Sequence, residues 1–203
     1  MFKVGIKGRL RNIKQALLGY SAEAVSPQEW ERSFSSGSWR RLEDRAEIGR
    51  YSIIVGYRDV LKKKRILDVG CGQGLLAERL KKFNYARYHG FDLSATAIAE
   101  AKSARADVRN TYSVGRAEDF ETSERFDLVV FNEIIYYLDD PVTVINRYGD
   151  VLGESGHLLV SMYDSARSRA AWRLLDGVLH IVDGTTITHM SNASWIIKIA
   201  SLR

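Results

Sequence analysis

The sequence predicts an α/β fold with an open, doubly wound, mostly parallel sheet, on three observations. Short apolar, β-branched runs alternate with helical stretches from Arg65 to Met162. The first run ends in an aspartate and passes through alternating glycines into a helix start, RILDVGCGQGLL, Arg65–Leu76. Beyond that rhythm, His180–Met190 and Trp195–Leu202 read as two strands joined by the polar loop Ser191-Asn192-Ala193, a hairpin that would put an antiparallel strand at the sheet edge. Counting the hairpin, seven strands are expected, with residues 1–61 as an N-terminal helical cap and 62–203 as the ligand-binding domain.

Composition bounds the function. The 203 residues are 45% hydrophobic and 27% charged, which is globular material sufficient for one substantial core. No stretch reaches eighteen uninterrupted apolar residues, and the first twenty lack a signal-peptide core, so a soluble cytoplasmic protein is expected. The single cysteine, Cys71, rules out an internal disulfide framework, and with four histidines it shows no metal-ligand spacing, so no metal is expected. Residues 1–65 carry fifteen Lys and Arg against seven Asp and Glu, which leaves the remainder net acidic. That basic cap suits a solvated helix face, or attraction to an acidic membrane surface or anionic substrate.

The elements follow in order. Phe2, Ile6, Leu10, Ile13 and Leu17 recur near helical spacing with lysines and arginines between them, a pattern for peripheral membrane contact through residues 1–20 or for docking on the protein's own domain. Ser26-Pro27-Gln28-Glu29 starts a helix by cap, first-position proline and capping-box glutamate, and Ser35–Ser38 breaks it. A second helix runs from Asp44 to about Leu61 with Ile48, Tyr51 and Val55 on one face. Leu75–Phe83 is the first crossover helix, Ala86–Phe91 the second strand, and Ser94 caps the alanine-rich helix Ala95–Ala104. Thr111–Val114 is a short third strand, and FDLVVFN, Phe126–Asn132, has the continuous apolar character of a central parallel strand. Asp140-Pro141 opens a helix that Gly153 and Gly156 should close, before the fifth strand His157–Met162 and the helical stretch SARSRAAWRLLD.

The glycine spacing selects the ligand. G-x-G-x-x-G would require a small residue at position 75, where leucine stands, and no G-K-[ST] ending follows, so neither dinucleotide nor nucleoside triphosphate is expected. The pattern is D-x-G-x-G-x-G, and Asp68 at the strand end would repel a pyrophosphate but attract an ammonium. Some twenty residues on, YHGFDLS ends a second strand in Asp92, where this class of fold places the acid that binds a ribose hydroxyl pair. A ribose and an ammonium without phosphates describe S-adenosylmethionine.

LDVGCGQG and GFDLS resemble the first two motifs of the class I S-adenosylmethionine-dependent methyltransferases, a Rossmann-like family. The resemblance implies S-adenosyl-L-methionine as cofactor and S-adenosyl-L-homocysteine as product, held by Asp68, Gly70, Cys71, Gly72, Gly74, Asp92, Leu93 and Asn132. EIIYYL and the upstream AEIGRY are similar to the rhizobial nodulation N-methyltransferases acting on chitooligosaccharides and to polysaccharide-cluster methyltransferases; that likeness implies that Arg50 meets the methionine carboxylate. The family often carries G-D-A after the third strand, whose aspartate accepts from the adenine amino group, but Arg116 stands there and has no acceptor. Ala117 by its backbone, helped by Glu118, is expected to take over.

Methyl transfer from a sulfonium needs mainly alignment and a deprotonated nucleophile. The candidate catalytic residues are Glu133 and Tyr137, in NEIIYYLDDP at the fourth-strand end, and Tyr163 past the fifth strand; Tyr136, His180 and His189 are further polar candidates. The expected acceptor is an amine or hydroxyl of a small molecule, a sugar or glycan. A non-catalytic cofactor-binding partner subunit is the alternative that Arg116 favours. Stable nucleic-acid binding is not expected, because NEIIYY lacks the N/D-P-P-aromatic turn of amino-methylating nucleic-acid enzymes. The segment WERSFSSGSWRRL, Trp30–Leu42, sets three large aromatics around a Gly-Ser hinge and reads either as a lid or as a permanent anchor.

Overall fold

The computed structural model describes residues 15–23 and 25–203. The amphipathic pattern at the N-terminus lies, as far as residue 14, outside the described residues. Seven strands form one sheet: β1 Arg65–Val69, β2 Arg87–Asp92, β3 Asn110–Val114, β4 Phe126–Asn132, β5 Leu152–Tyr163, β6 Leu179–Thr188 and β7 Ser194–Leu202. Their order is β3-β2-β1-β4-β5-β7-β6. The first five run parallel, and β7 pairs antiparallel with both β5 and β6. The expected fold class and terminal hairpin are therefore present. The order reverses at β1, whose neighbours are β2 and β4, and the crevice outside the carboxyl ends of these strands is where such sheets bind ligands.

Among the described residues the helices that cover the sheet are α1 Pro27–Ser35, α2 Arg45–Val60, α3 Leu75–Leu80, α4 Ala95–Arg105, α5 Pro141–Arg147 and α6 Ala166–Leu175. Strand alternation divides the core in two. Leu128 and Val130 of β4 face Tyr51, Ile54 and Val55 of α2 and Ile98 of α4, while Val129 and Phe131 face Val144 and Ile145 of α5 and Trp172 of α6. Helix α2 is thus built into one layer of the sandwich. Its buried face differs from the expected one: Ile48 is 42% exposed, and the space beside Tyr51 and Val55 is taken by Ile54 and by the charged Glu47, Arg50 and Arg58.

Two boundaries also differ. Gly153 and Gly156 do not end α5, which stops at Arg147 and runs through a 3₁₀ turn, Tyr148–Val151, into β5. Both glycines belong to that strand, which begins at Leu152 because Leu152 pairs with Phe126 across a register shift. Glycine is a poor guide here because it serves irregular strands as well as helix ends. Strand β6 ends at Thr188, leaving Met190 in the hairpin turn and 98% exposed.

The segment before β1 crosses the carboxyl end of the sheet. Tyr20 anchors it from below, its hydroxyl donating to the carbonyls of Ile135 (3.1 Å) and Leu138 (2.6 Å). Ser26 and Glu29 form the expected capping box at the start of α1. Helix α1 then docks over the start of α4, where Glu31 accepts from the backbone N–H of Thr96 (3.1 Å) and from the Thr96 hydroxyl. A 3₁₀ segment, Ser38–Glu43, leads on to α2.

Candidate active site

The glycine turn between β1 and α3 requires its glycines. Gly70 and Gly74 have φ of +70° and +79°, and a Cβ on Gly70 would come within 2.6 Å of the Ile134 side chain. The turn is tied to β2, because the Phe91 carbonyl accepts from the N–H groups of Gly70 (2.9 Å) and Cys71 (3.0 Å). It can pass this close only because residue 90 is glycine; a Cβ there would lie 2.8 Å from Cys71 Sγ. Cys71 is buried and burial pushes its thiol well up, so it acts as a small spacer and not as a thiolate.

Two cavities open from this turn, and a third adjoins them at Glu133. The first, about 150 Å³, is bounded by Gly70, Asp92, Leu93, Ala117, Glu118 and Tyr137 among others. The second, about 60 Å³, lies deeper among Arg50, Asp68, Cys71, Gly72, Asn132 and Phe34. The third and largest, about 490 Å³, is walled by Trp39, Tyr136, Tyr137, Tyr163 and Trp195, with Arg50 at its base. Among the described residues Trp30, Gly70, Asp92 and Glu133 border both of the first two, and of these Glu133 alone borders all three. All the predicted site residues except Gly74 line one or more of these cavities; Gly74 caps α3 immediately behind. His180 and His189 lie on the hairpin outside them, His189 held by Ser191 at the turn.

Asp68 is 2% exposed; its Oδ2 accepts from the Tyr88 hydroxyl at 2.6 Å, and its Oδ1 is buried without a partner. Burial pushes its carboxyl up to about 7, against the pull of Tyr88. An acid in that state gains from a cation brought beside it, as the ammonium expectation requires. Asp92, also 2% exposed, holds the loop by accepting from Gly72 N–H and Ser94 N–H, each at 2.9 Å. Its third donor is the Trp30 indole, at 3.2 Å from Oδ1. The carboxylate expected to bind a ribose is therefore engaged by the cap, and Trp30 stands between the first two cavities.

Arg50 is 1% exposed, its guanidinium bonded to Glu47 through Nε (3.0 Å) and Nη2 (2.6 Å) and to the Asn132 side-chain oxygen through Nη1. It lies over the Tyr51 ring at 4.6 Å. The α2 arginine and the β4 asparagine, eighty-two residues apart, thus form one wall of the second cavity.

Glu133 follows β4 with φ +64°, a left-handed conformation that is uncommon outside glycine and that turns its side chain back into the cleft. Its Oε2 accepts from the Tyr136 hydroxyl at 2.7 Å, while Oε1 is sealed from solvent and has no partner, although the residue as a whole is partly exposed. Burial pushes this carboxyl up to about 7, with Arg50 pulling the other way. Tyr137 packs edge-on to Trp30 at 4.9 Å, and Tyr163, 43% exposed, packs edge-on to Trp195 at 5.8 Å. Arg116 is half-exposed at the rim of the first cavity, its Nε 3.6 Å from both Glu118 and Asp119. The Ala117 carbonyl is taken by the Tyr148 hydroxyl at 3.0 Å, so backbone recognition at Ala117 would fall to its N–H.

Several residues of this constellation escaped sequence reasoning as site residues, Trp30 and Tyr88 among them. Trp30 belonged to the aromatic segment, but nothing in its spacing indicated Asp92 as its partner. Tyr88 is two residues ahead of the glycine of its strand, and its link to Asp68 arises from the side-by-side placement of β1 and β2. Among the described residues no group of three or more His, Cys, Asp or Glu side chains could hold a metal ion.

Residues 38–194 match the family described as methyltransferase domain. Among curated proteins, the chain is 36% identical over 104 residues to the ubiquinone biosynthesis O-methyltransferase of Azorhizobium caulinodans, covering 50% of this chain and 41% of that protein. It is 29% identical over 143 residues to the protein of the same name from Neisseria meningitidis serogroup C, covering 68% and 58%. The chain thus spans about half the length of the curated relatives it matches. Among solved structures it superposes, with TM-score 0.72, on the N-methyltransferase NodS of Bradyrhizobium japonicum WM9 in complex with S-adenosyl-L-homocysteine; identity is 22%, covering 85% of this chain and 96% of that one.

Proposed function

This chain belongs to the methyltransferase-domain family, and we propose that it is an S-adenosylmethionine-dependent enzyme that methylates an amine or hydroxyl of a small molecule, a sugar or glycan. The observation that carries the reading is the position of Glu133, which borders all three cavities. Asp92 and Leu93 would hold the ribose, Ala117 and Glu118 the adenine, and Asp68, Arg50 and Asn132 the methionine end. The unpaired Oδ1 of Asp68 fits an ammonium, and the Arg50 guanidinium fits a carboxylate.

The cofactor supplies an electrophilic methyl group on a sulfonium. The protein's own part is to align an acceptor and take its proton. Glu133 Oε1 is the acceptor for that proton, with Oε2 fixed by Tyr136. A carboxyl near 7 is divided between its acid and base forms at neutral pH, which suits general-base work. The rings of Trp39, Tyr136, Tyr137, Tyr163 and Trp195 offer apolar faces on which a sugar ring can stack, and they keep water from the transfer.

Both chemistries occur among the similar proteins, O-methyltransferase in the curated relatives and N-methyltransferase in NodS. Incubation with labelled S-adenosylmethionine and separate pools of amino sugars, glycans and phenols tests the reading. The expected result is label in one amine- or hydroxyl-bearing pool, lost in Glu133→Gln. Cofactor binding without transfer to any pool would favour the non-catalytic partner subunit that Arg116 suggests.

A further inference from the structure

Among the described residues, Oδ1 of Asp68 and Oε1 of Glu133 are carboxyl oxygens of this cleft that are buried without a hydrogen-bond partner. They occupy different places. Asp68 lines only the deep second cavity, beside the Arg50 that would take the methionine carboxylate. Glu133 lies where the first and second cavities meet, and the third opens from the same point. In S-adenosylmethionine the ammonium is at the methionine end, and the sulfur joins that end to the ribose. A ligand with its ribose at Asp92 and its ammonium at Asp68 therefore carries its sulfur across the boundary that Glu133 borders.

Resting on the reading of this cleft as the S-adenosylmethionine site, we propose that Glu133 reads the sulfonium charge and so distinguishes the cofactor from its spent product. Asp68 holds the ammonium that both share. Methyl transfer turns the sulfonium into a neutral thioether, which removes the ligand's own positive charge beside Glu133 and leaves the Asp68 contact as it was. A carboxylate at this boundary stabilises the charged ligand by Coulomb attraction in a site shielded from water and does nothing for the neutral one.

The surroundings of Glu133 leave it able to respond. Arg50 faces it from α2, but that guanidinium is already matched by Glu47 on the same helix and bonded to Asn132 of β4. Tyr136, on the 3₁₀ turn Ile135–Tyr137, donates to its other oxygen, and the backbone at Tyr163 reaches it from the end of β5. Around Asp68 stand Tyr88, Asp92 and Arg50. Burial holds both carboxyls up to about 7. Raising the pH through that value ionises Glu133, so attraction to a sulfonium grows with pH while binding of the thioether gains only what Asp68 contributes.

The test is calorimetric titration of the full chain with S-adenosylhomocysteine and with sinefungin, a non-reactive analogue bearing an amine-substituted carbon in place of the methyl sulfonium. The affinity ratio in favour of the charged ligand should rise by about tenfold from about pH 6 to about pH 8.5, as the ionised fraction of Glu133 grows from roughly a tenth to nearly all. Glu133→Gln should flatten that rise while changing S-adenosylhomocysteine affinity little. Asp68→Asn should weaken both ligands by a similar factor and keep the pH profile of their ratio. A ratio constant within about twofold in the unaltered protein, which requires no variant to fold, overturns the proposal. So does a Glu133→Gln protein with the unaltered protein's profile. Absence of binding by both ligands at every pH overturns the cofactor reading, and this inference with it.

Discussion

The indole Nε1 of Trp30 donates to Oδ1 of Asp92 across 3.2 Å, joining α1 to the end of β2 over sixty-two residues of chain. The contact occupies the carboxylate that a ribose would need and places a ring between cavities of about 150 and 60 Å³. Sites for ligands of cofactor size usually offer roughly 300–1,000 Å³, so a ligand spanning both compartments has to move Trp30. The ring is supported by Phe34 at 6.1 Å and Trp39 at 5.2 Å between centroids, which makes the three aromatics of the hinged segment a single cluster over the glycine turn.

Trp30→Phe should therefore tighten S-adenosylhomocysteine binding. The substitution keeps the ring but deletes the N–H that competes for Asp92, a bond to a charged group that contributes about 1.5–3 kcal/mol at most. A gain of several-fold in calorimetric affinity is expected. A loss would mean that the indole contacts the bound cofactor.

Asp92→Ala should weaken the same ligand by about 1.5–3 kcal/mol. It should also lower the melting temperature of the ligand-free protein by several degrees, because Gly72 N–H, Ser94 N–H and Trp30 lose their acceptor together. Differential scanning calorimetry and titration on one sample separate the two effects. Unchanged affinity would remove Asp92 from the ribose site.

Asp68 and Glu133 carry a stability signature of definite sign. Both folded-state values are raised, from ordinary values of 3.8 and 4.5 to about 7, so the fold favours the protonated forms. That contribution is complete below the unfolded values and is lost as the pH climbs through about 7. The ligand-free protein should melt progressively lower between about pH 5 and about pH 8, and Asp68→Asn or Glu133→Gln should raise the melting temperature at the upper end only. A variant that melts lower than the parent at about pH 8 would show that the carboxylate has a partner there.

Tyr136→Phe tests the base through its support. The Tyr136 hydroxyl pulls the Glu133 carboxyl down, so its loss should push that group up and move the acid limb of kcat/KM to higher pH, by roughly half to one unit. The cavity wall keeps its ring. A lower kcat/KM with an unmoved limb would make Tyr136 a packing residue.

Most of the fold could be read from the sequence because its signals are local. FDLVVFN coincides with β4 residue for residue, and the Ser26 and Ser94 caps stand at the helix starts they announce. The glycine turn was equally clear, since positive φ at Gly70 and Gly74 leaves few other residues possible. Side-chain partnerships across the sheet were not. Arg50 could be named from a motif, but its bond to Asn132 depends on α2 crossing the end of β4, and the link between Tyr88 and Asp68 on the pairing of two strands. Glu133 was recognisable by its place after a central strand, whereas the left-handed turn that aims it is invisible in an EII sequence.

Cys71 is the protein's sole cysteine and shares the second cavity with Phe34 and Trp39 of the segment above it. A thiol so placed meets an alkylating reagent only during excursions that uncover it. Its labelling half-life thus becomes a clock on how often that segment lifts, readable by mass spectrometry on unmodified protein. Because there is one thiol, the count of adducts is either zero or one, and the time course needs no site assignment.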